Sequence, residues 1–218
     1  GGGAFTKQAK RLFDETIRQK AADGTSLVDI INAQGALPGI KVDKGLSPIG
    51  DSEESLTQGL DGLDERLKEY FELGAKFTKW RAVINVGEGI PSSEAISANM
   101  EALADYAKIV QNNNMVPMVE PEVLMDGAHS IDDCYDATSR CLESLFSNLT
   151  DRGVDITGTI LKPNMVTSGS KASNQASIEE VAQRTVDCLK ANVPESLPGI
   201  TFLSGGQSEV EATENLNL

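Results

Sequence analysis

Apolar residues follow two alternating patterns along the chain, one typical of buried strands and the other of amphipathic helices. Short apolar runs alternate with longer segments in which apolar residues recur every three or four positions. The first pattern predicts strands over residues 39–45, 76–86, 115–123, 157–165 and 199–203. The second predicts helices over residues 5–22, 26–35, 58–73, 92–111, 130–149, 177–191 and from 208 onward. Strands that alternate with helices form parallel βαβ units, so the sequence predicts an α/β fold.

Capping residues and a polar segment mark several boundaries between these elements. Ser177 with Glu180, and Ser208 with Glu211, have the spacing of a capping box at a helix start. Residues 46–57 are mostly polar or turn-forming, so they are predicted to form a long loop.

One polar residue stands at or near the C-terminal end of each predicted strand. In chain order these residues are Asp43, Arg81, Glu120, Lys162 and Ser204, at intervals of 38, 39, 42 and 42 residues. In barrels and in open parallel sheets, ligands bind at the carboxyl ends of the strands. The regular intervals therefore predict one ligand site to which all five strands contribute.

Three strands carry ionisable residues two positions apart, which places both side chains of a pair on one face of the strand. The pairs are Lys41 with Asp43, Lys79 with Arg81, and Glu120 with Glu122. A single pair of this kind is most often part of a solvated face. Strands covered by helices have no solvated face on that side, so we expect the six groups to meet Lys162 in the mouth of a barrel.

Lys162 lies in the otherwise apolar run from Thr159 to Val166. A lysine at a strand end usually extends its amine to solvent, and this is the alternative for the residue taken alone. A neutral amine is a nucleophile for carbonyl carbons, and burial or a neighbouring cation favours the neutral form. With Lys79 as the candidate neighbour, Lys162 is a candidate Schiff-base lysine.

Schiff-base formation also needs groups that move protons, because a carbinolamine forms and then loses water. Glu120 and Glu122 are the candidate acid and base. We expect Asp43 to hold the charge of the lysines and to orient the substrate.

The run Ser204-Gly205-Gly206 follows a predicted strand and precedes a capped helix. Free backbone amides at a helix start bind phosphate well, although a glycine pair after a strand is more often a simple turn. Barrel enzymes commonly bind phosphate in the loops after their seventh and eighth strands. The run is therefore a candidate phosphate site, and Lys41 with Arg81 is the candidate site for a second phosphate.

The formal net charge of −14 over 218 residues argues against a nucleic-acid partner. An anionic small molecule is compatible with this charge, because five of the 19 basic residues gather at the predicted site. These five are Lys41, Lys44, Lys79, Arg81 and Lys162. No window is apolar enough to predict a membrane span and no secretory signal is visible, so the expected location is the cytoplasm.

The cysteines and the single histidine do not predict a metal site. Cys134, Cys141 and Cys188, with His129, have neither the number nor the spacing of zinc ligands. Cys134 and Cys141 lie seven positions apart on a predicted helix, so we expect them to share a buried face. His129 precedes a helix start, where a loop or capping role is the more frequent one.

Six runs of sequence carry a resemblance to a known family. They are GIKVDKG, TQGLDGLDERLKEY, KWRAV, MVPMVEPEVL, GTILKPNMV and GITFLSGGQSEVEA. In this order and at these separations they resemble class I fructose-1,6-bisphosphate aldolase. The resemblance implies a (β/α)8 TIM barrel that reversibly cleaves fructose 1,6-bisphosphate to dihydroxyacetone phosphate and glyceraldehyde 3-phosphate. It also implies that no metal takes part and that the only covalent group is the Schiff base of the substrate with Lys162.

The same resemblance implies a role for each candidate residue. Lys162 matches the Schiff-base lysine, and Glu120 with Glu122 matches the acid and base pair. Lys79 and Arg81 match catalytic and phosphate-binding residues. Lys41 and Asp43 match further site residues, and Ser204 with Gly205 matches the phosphate loop, which Gly206 extends.

The five predicted strands resemble the third to the seventh strands of that barrel. The sequence therefore predicts a single, incomplete barrel domain over residues 1–218, with residues 1–11 as an altered or artificial start. Open sheet edges imply a homo-oligomer or a complementing segment that supplies the missing strands. Two alternatives remain: a noncatalytic fragment that acts as a folding or interaction module, and a different Schiff-base or phosphate-sugar barrel enzyme.

Overall fold

The protein is built around a five-stranded parallel sheet, seen in a computed structural model that describes residues 9–218. In spatial order the strands are β1 (Ala9–Leu12), β2 (Leu37–Lys41), β5 (Phe77–Ile84), β6 (Val116–Val123) and β7 (Ile160–Leu161), numbered along the chain. A separate antiparallel hairpin consists of β3 (Leu46–Pro48) and β4 (Ser55–Thr57). The helices are α1 (Asp14–Ile17), α2 (Leu27–Ala33), α3 (Leu63–Glu72), α4 (Ser93–Asn112), α5 (Ile131–Asp151), α6 (Ile178–Asn192) and α7 (Glu209–Asn217).

The strand order follows the chain order, as expected for successive βαβ units. All neighbouring strands of the sheet are parallel, and the register pairs Lys41 with Lys79 and Arg81 with Glu120. Within residues 9–218 no strand pairs β1 with the far edge of the sheet. The prediction of an α/β fold with an incomplete barrel of five parallel strands is confirmed.

Alternate residues of each strand face two different environments. On one side of the sheet, Trp80 and Val119 join the main core beneath the helices. On the other side, Phe77, Met118 and Ile160 form a smaller apolar cluster. Burying a large apolar side chain contributes about 1.5–3 kcal/mol, so the helix-covered side holds the sheet in place and leaves its other side available for polar groups.

Strand β5 is anchored to the helix layer by two aromatic residues. The ring centroids of Trp80 and Tyr106 lie 5.3 Å apart, and both side chains are fully buried. The Tyr106 hydroxyl shares a 2.6 Å hydrogen bond with the hydroxyl of Thr78. This anchoring fixes the residues of β5 that point to the opposite side.

The predicted helix over residues 5–22 is wrong for residues 9–12, which form β1. The segment pairs in parallel with β2, with Leu12 opposite Ile40. Helical structure is limited to the four residues of α1, and residues 5–8 lie outside the described part of the chain. The segment is too short for its apolar spacing to distinguish a helix from a strand, and pairing with β2 determines its structure.

Two further predictions differ from the structure at the level of boundaries. Residues 46–57 contain the β3–β4 hairpin instead of a featureless loop. The predicted helix over residues 58–73 begins only at Leu63, after Gly62 in the left-handed conformation. Both differences arise in a turn-rich stretch, where the local pattern does not show which polar residues pair.

The last two predicted strands are shorter than expected. Of residues 157–165 only β7 is a strand, and a 3-10 turn over Ile156–Gly158 precedes it. Residues 199–203 form a single parallel bridge between Leu161 and Ile200. The chain there still follows β7, because the Thr201 amide donates to the Leu161 carbonyl at 3.0 Å.

Apart from α1 and α3, the helices start within one residue of their predicted positions. Ser208 and Glu211 form the predicted capping box of α7. At α6, Ser177 accepts a hydrogen bond from the amide of Glu180, but the reciprocal contact of a capping box is absent. Cys134 and Cys141 are both buried on α5, as predicted from their spacing.

Candidate active site

A cavity of about 650 Å³ opens on the side of the sheet that faces away from the helices. Seven ionisable side chains line it, and six of them were predicted from the sequence: Lys41, Lys79, Arg81, Glu120, Glu122 and Lys162. The loop Ser204–Gly206 lines its rim. The structure thus brings together nine of the ten residues that the sequence predicted for the site.

Glu120 lies at the centre of the charged groups and contacts two lysines. Its Oε1 is 2.8 Å from the Nζ of Lys162, and its Oε2 is 2.5 Å from the Nζ of Lys79. The side chains of Lys79 and Glu120 are 3% and 4% exposed, whereas that of Lys162 is 24% exposed. Glu120 therefore joins a buried lysine to one that a ligand in the cavity can reach.

Burial lowers the pKa of Lys79 below its ordinary value. Glu120 and Asp43 oppose this shift, and the nearby charge of Lys162 adds to it. Removing one partner of a buried ion pair costs about 3–5 kcal/mol, because the other charge is left uncompensated. The carboxylate of Glu120 is therefore the group on which both lysines depend.

Lys162 is held in place by its backbone and by a neighbour that the sequence did not single out. Its amide donates to the Val119 carbonyl at 2.8 Å, which ties the end of β7 to β6. Two residues further on, the buried side chain of Asn164 accepts from the Val123 amide at 3.0 Å and donates to the Thr138 hydroxyl at 3.1 Å. Asn164 thus fastens this strand end to β6 and α5, a role that the sequence did not predict although the residue lies in the run GTILKPNMV.

Arg81 and Glu122 form a second ion pair on the same side of the sheet. The Arg81 side chain is 40% exposed and that of Glu122 is 8% exposed, and both side chains line the cavity. The hairpin supports this pair, because the Thr57 hydroxyl donates to the Arg81 carbonyl at 2.8 Å. The two glutamates are therefore bound by different cations.

Asp43 is the one candidate catalytic residue that does not line the main cavity. It forms an ion pair with Lys41, and its Oδ2 accepts a 3.2 Å hydrogen bond from the Arg81 amide. Asp43 instead borders a neighbouring cavity of about 400 Å³, as does Lys44, whose charge was also predicted at the site. Strand β2 ends at Lys41, so the strand alternation on which the Asp43 prediction depended does not extend to it.

The loop Ser204–Gly206 turns tightly at the rim of the cavity. Gly205 and Gly206 both have positive φ angles, of 61° and 91°, which favour glycine. The Leu203 amide donates to the Pro163 carbonyl at 3.2 Å, so the loop stays beside the end of Lys162's strand. The loop is thus placed to face a ligand that reaches Lys162.

Arg11 and Phe13 also line the cavity, and sequence reasoning did not find them. The guanidinium of Arg11 lies 4.9 Å from the centroid of the Phe13 ring. The sequence predicts a helix for both residues, and a helix lacks the side-to-side alternation of a strand that directs Arg11 into the cavity.

No metal site accompanies these groups within the described residues, where no cluster of three or more His, Cys, Asp or Glu side chains could hold an ion. The three cysteines are buried free thiols. No helix within residues 9–218 combines the length and hydropathy needed to span a bilayer.

The sheet and its cavity define an α/β protein of the barrel type, with charged residues at the carboxyl ends of the strands. A model of the family described as "Glycolytic: Fructose-bisphosphate aldolase class-I" matches residues 8–218. The chain therefore belongs to the class I fructose-bisphosphate aldolase family.

Individual relatives show the same similarity. The chain is 57% identical to a "Probable fructose-bisphosphate aldolase class 1" of Xanthomonas axonopodis pv. citri, covering 94% of the chain and 62% of the relative. It is 52% identical to "Fructose-bisphosphate aldolase 6, cytosolic" of Arabidopsis thaliana, covering 94% of the chain and 58% of the relative. The chain thus spans about three fifths of the length of these curated relatives.

A solved structure is similar over nearly the whole chain. It is the fructose-bisphosphate aldolase of Plasmodium falciparum, in a complex with TRAP and a small-molecule inhibitor. The TM-score is 0.94 at 46% sequence identity, and the match covers 96% of this chain and 61% of that one.

Proposed function

We propose that this chain carries the Schiff-base centre of a class I fructose-bisphosphate aldolase. The reaction is the reversible cleavage of fructose 1,6-bisphosphate to dihydroxyacetone phosphate and glyceraldehyde 3-phosphate. The observation that carries the proposal is the contact of Lys162 Nζ with Glu120 Oε1 at 2.8 Å, in a cavity that substrate can enter.

In the first step Lys162 attacks the carbonyl carbon of the substrate. Glu120 takes the proton that the ammonium must lose, and it returns a proton to the carbinolamine hydroxyl, which leaves as water. Lys79 keeps Glu120 in position for both transfers, since its Nζ contacts the other carboxylate oxygen. The product of this step is a protonated Schiff base on Lys162.

In the second step the bond between C3 and C4 breaks. A carboxylate removes the proton of the C4 hydroxyl, the electron pair of the broken bond moves to the iminium nitrogen, and glyceraldehyde 3-phosphate leaves. Glu122 is the proposed base, because its carboxylate lines the cavity and is held by Arg81. Protonation of the enamine and hydrolysis then release dihydroxyacetone phosphate and restore Lys162.

Phosphate binding is assigned to the remaining predicted residues. Ser204, Gly205 and Gly206 present backbone amides at the rim, and Lys41 with Arg81 supplies cations on the opposite part of the cavity. Asp43 acts from outside the cavity by holding Lys41 and the backbone of Arg81.

The remaining proposals concern the whole protein. The chain forms a single partial barrel domain, whose sheet edges are covered by a second copy or by a complementing segment. A cytoplasmic location is supported by the printed name of the cytosolic Arabidopsis relative. The noncatalytic alternative is not favoured, because these relatives are named as aldolases.

The proposal is tested by trapping the Schiff base. Borohydride added to the folded chain with dihydroxyacetone phosphate is expected to reduce the imine and add mass to the peptide that contains Lys162. Peptide mass spectrometry measures the site and the extent of labelling.

The matched control is Lys162→Met, which removes the amine and keeps a flexible apolar stem. We expect no label on this variant under the same conditions. Absence of label on the wild-type chain, or equal labelling elsewhere in the variant, contradicts the catalytic proposal.

A further inference from the structure

We propose that Arg11 binds one phosphate group of the substrate. This inference rests on the function proposed above and adds a residue that the family resemblance did not supply. Arg11 lies on β1, the edge strand of the sheet, opposite Gly39 of β2. Its exposed side chain lines the same cavity as Lys162.

The charges around the cavity single out Arg11. Lys79 and Lys162 both contact Glu120, and Arg81 contacts Glu122. Lys41, the fourth cation, pairs with Asp43. Among residues 9–218, Arg11 makes no ion pair with a carboxylate, although it lines the same cavity as these pairs.

An uncompensated cation attracts an anion more strongly than one already neutralised by a carboxylate. A guanidinium presents donors in a planar fork that matches two oxygens of a phosphate. The guanidinium lies 4.9 Å from the centroid of the Phe13 ring, and this cation–π contact does not use its N–H donors. Arg11 is therefore better prepared to bind a phosphate than the paired cations beside it.

The position of Arg11 also determines which phosphate it binds. The loop Ser204–Gly206 follows the chain that runs beside β7, at the other end of the sheet from β1. A monophosphate bound at that loop has no second phosphate group for Arg11 to bind. A bisphosphate of the same sugar series places its second phosphate elsewhere in the cavity, where Arg11 is available.

The test compares two variants that remove one positive charge from neighbouring positions of β1. Arg11→Gln removes the one cavity-lining cation that makes no ion pair among residues 9–218. Lys10→Gln is the matched control, because Lys10 is exposed, points to the other side of the strand and is not among the residues that line the cavity. Titration calorimetry on the full chain measures the Kd of fructose 1,6-bisphosphate and of dihydroxyacetone phosphate, and thermal melting confirms folding.

We expect Arg11→Gln to raise the Kd of fructose 1,6-bisphosphate about tenfold, with that of dihydroxyacetone phosphate changed less than about twofold. Lys10→Gln should leave both within about twofold of the wild type. The inference is overturned if Arg11→Gln and Lys10→Gln bind fructose 1,6-bisphosphate with equal Kd values. It is also overturned if Arg11→Gln loses affinity equally for the bisphosphate and for dihydroxyacetone phosphate.

A second variant covers the case in which Arg11→Gln does not fold. Arg11→Lys keeps the positive charge but loses the planar set of donors. We expect it to raise the Kd of fructose 1,6-bisphosphate about threefold and to leave that of dihydroxyacetone phosphate unchanged. An unchanged Kd of the bisphosphate overturns the inference. These titrations do not need the amine of Lys162, so failure of the borohydride trapping with a positive titration refutes the proposed reaction and retains Arg11 as a phosphate ligand.

Discussion

At the scale of single residues, the function proposed for Lys162 depends on one carboxylate. Glu120 contacts both lysines through different oxygens, while Glu122 is held by Arg81. The sequence predicted that the two glutamates would serve together as acid and base. In the structure each glutamate contacts its own cations, and we therefore propose that Glu120 alone transfers protons at Lys162.

His129 offers a prediction about pH and stability. It is 7% exposed, and neither ring nitrogen has a hydrogen-bond partner in the described part of the chain. Burial lowers the pKa of His129 below its ordinary value, and Asp133 opposes this shift. Below about pH 6.5 the unfolded chain therefore binds more protons than the native chain, so stability that is present above this pH is lost as the pH falls.

We expect the free energy of unfolding to fall between pH 7 and pH 5 by up to ~1.4 kcal/mol per pH unit from this one group. The variant His129→Gln should show a smaller slope over the same range. Urea unfolding at several pH values measures both slopes. Identical slopes for the two proteins would show that His129 does not cause the loss of stability at low pH.

At the scale of elements, the β3–β4 hairpin positions the cavity although it lies outside the main sheet. Asn99 of α4 is buried and donates to the Ser55 carbonyl at 2.8 Å, while its side-chain oxygen accepts from the Thr57 amide. Thr57 in turn donates to the Arg81 carbonyl. The hairpin therefore connects α4 to the strand that carries Lys79 and Arg81.

We expect Asn99→Ala to lower the free energy of unfolding by about 1–3 kcal/mol, because buried backbone groups of the hairpin lose their partner. The control is Asn112→Ala, an exposed asparagine at the end of the same helix. Its effect should stay within about 0.5 kcal/mol. Urea unfolding of the two variants decides the matter, and equal losses would count against a structural role for the hairpin contact.

The elements also show what the sequence could predict. Long helices such as α4 and α5 were predicted within two residues, because their apolar period repeats many times and their caps are visible. Strand β1 was missed, since four residues carry too little pattern and the partner strand decides their structure. The hairpin was missed for the same reason.

At the scale of the whole molecule, the sequence predicted which residues line the cavity better than it predicted the sheet that supports them. The residues of the site stand at strand ends at regular intervals, and parallel topology brings such ends together. Arg11 and Asn164 could not be found in this way. The position of Arg11 depends on the register of β1, and the contacts of Asn164 depend on its burial. The chain spans 62% of the length of its Xanthomonas relative, and its described strands form an incomplete barrel around the cavity.

The most direct test of the account is the rate at which borohydride traps dihydroxyacetone phosphate on this chain. We expect Glu120→Gln to lower this rate on the order of 100-fold, because Lys162 loses the group that accepts its proton. Glu72→Gln, an exposed position on α3, is the control and should react at the wild-type rate. A folded Glu120→Gln variant that is labelled at Lys162 as fast as the wild type would contradict the account.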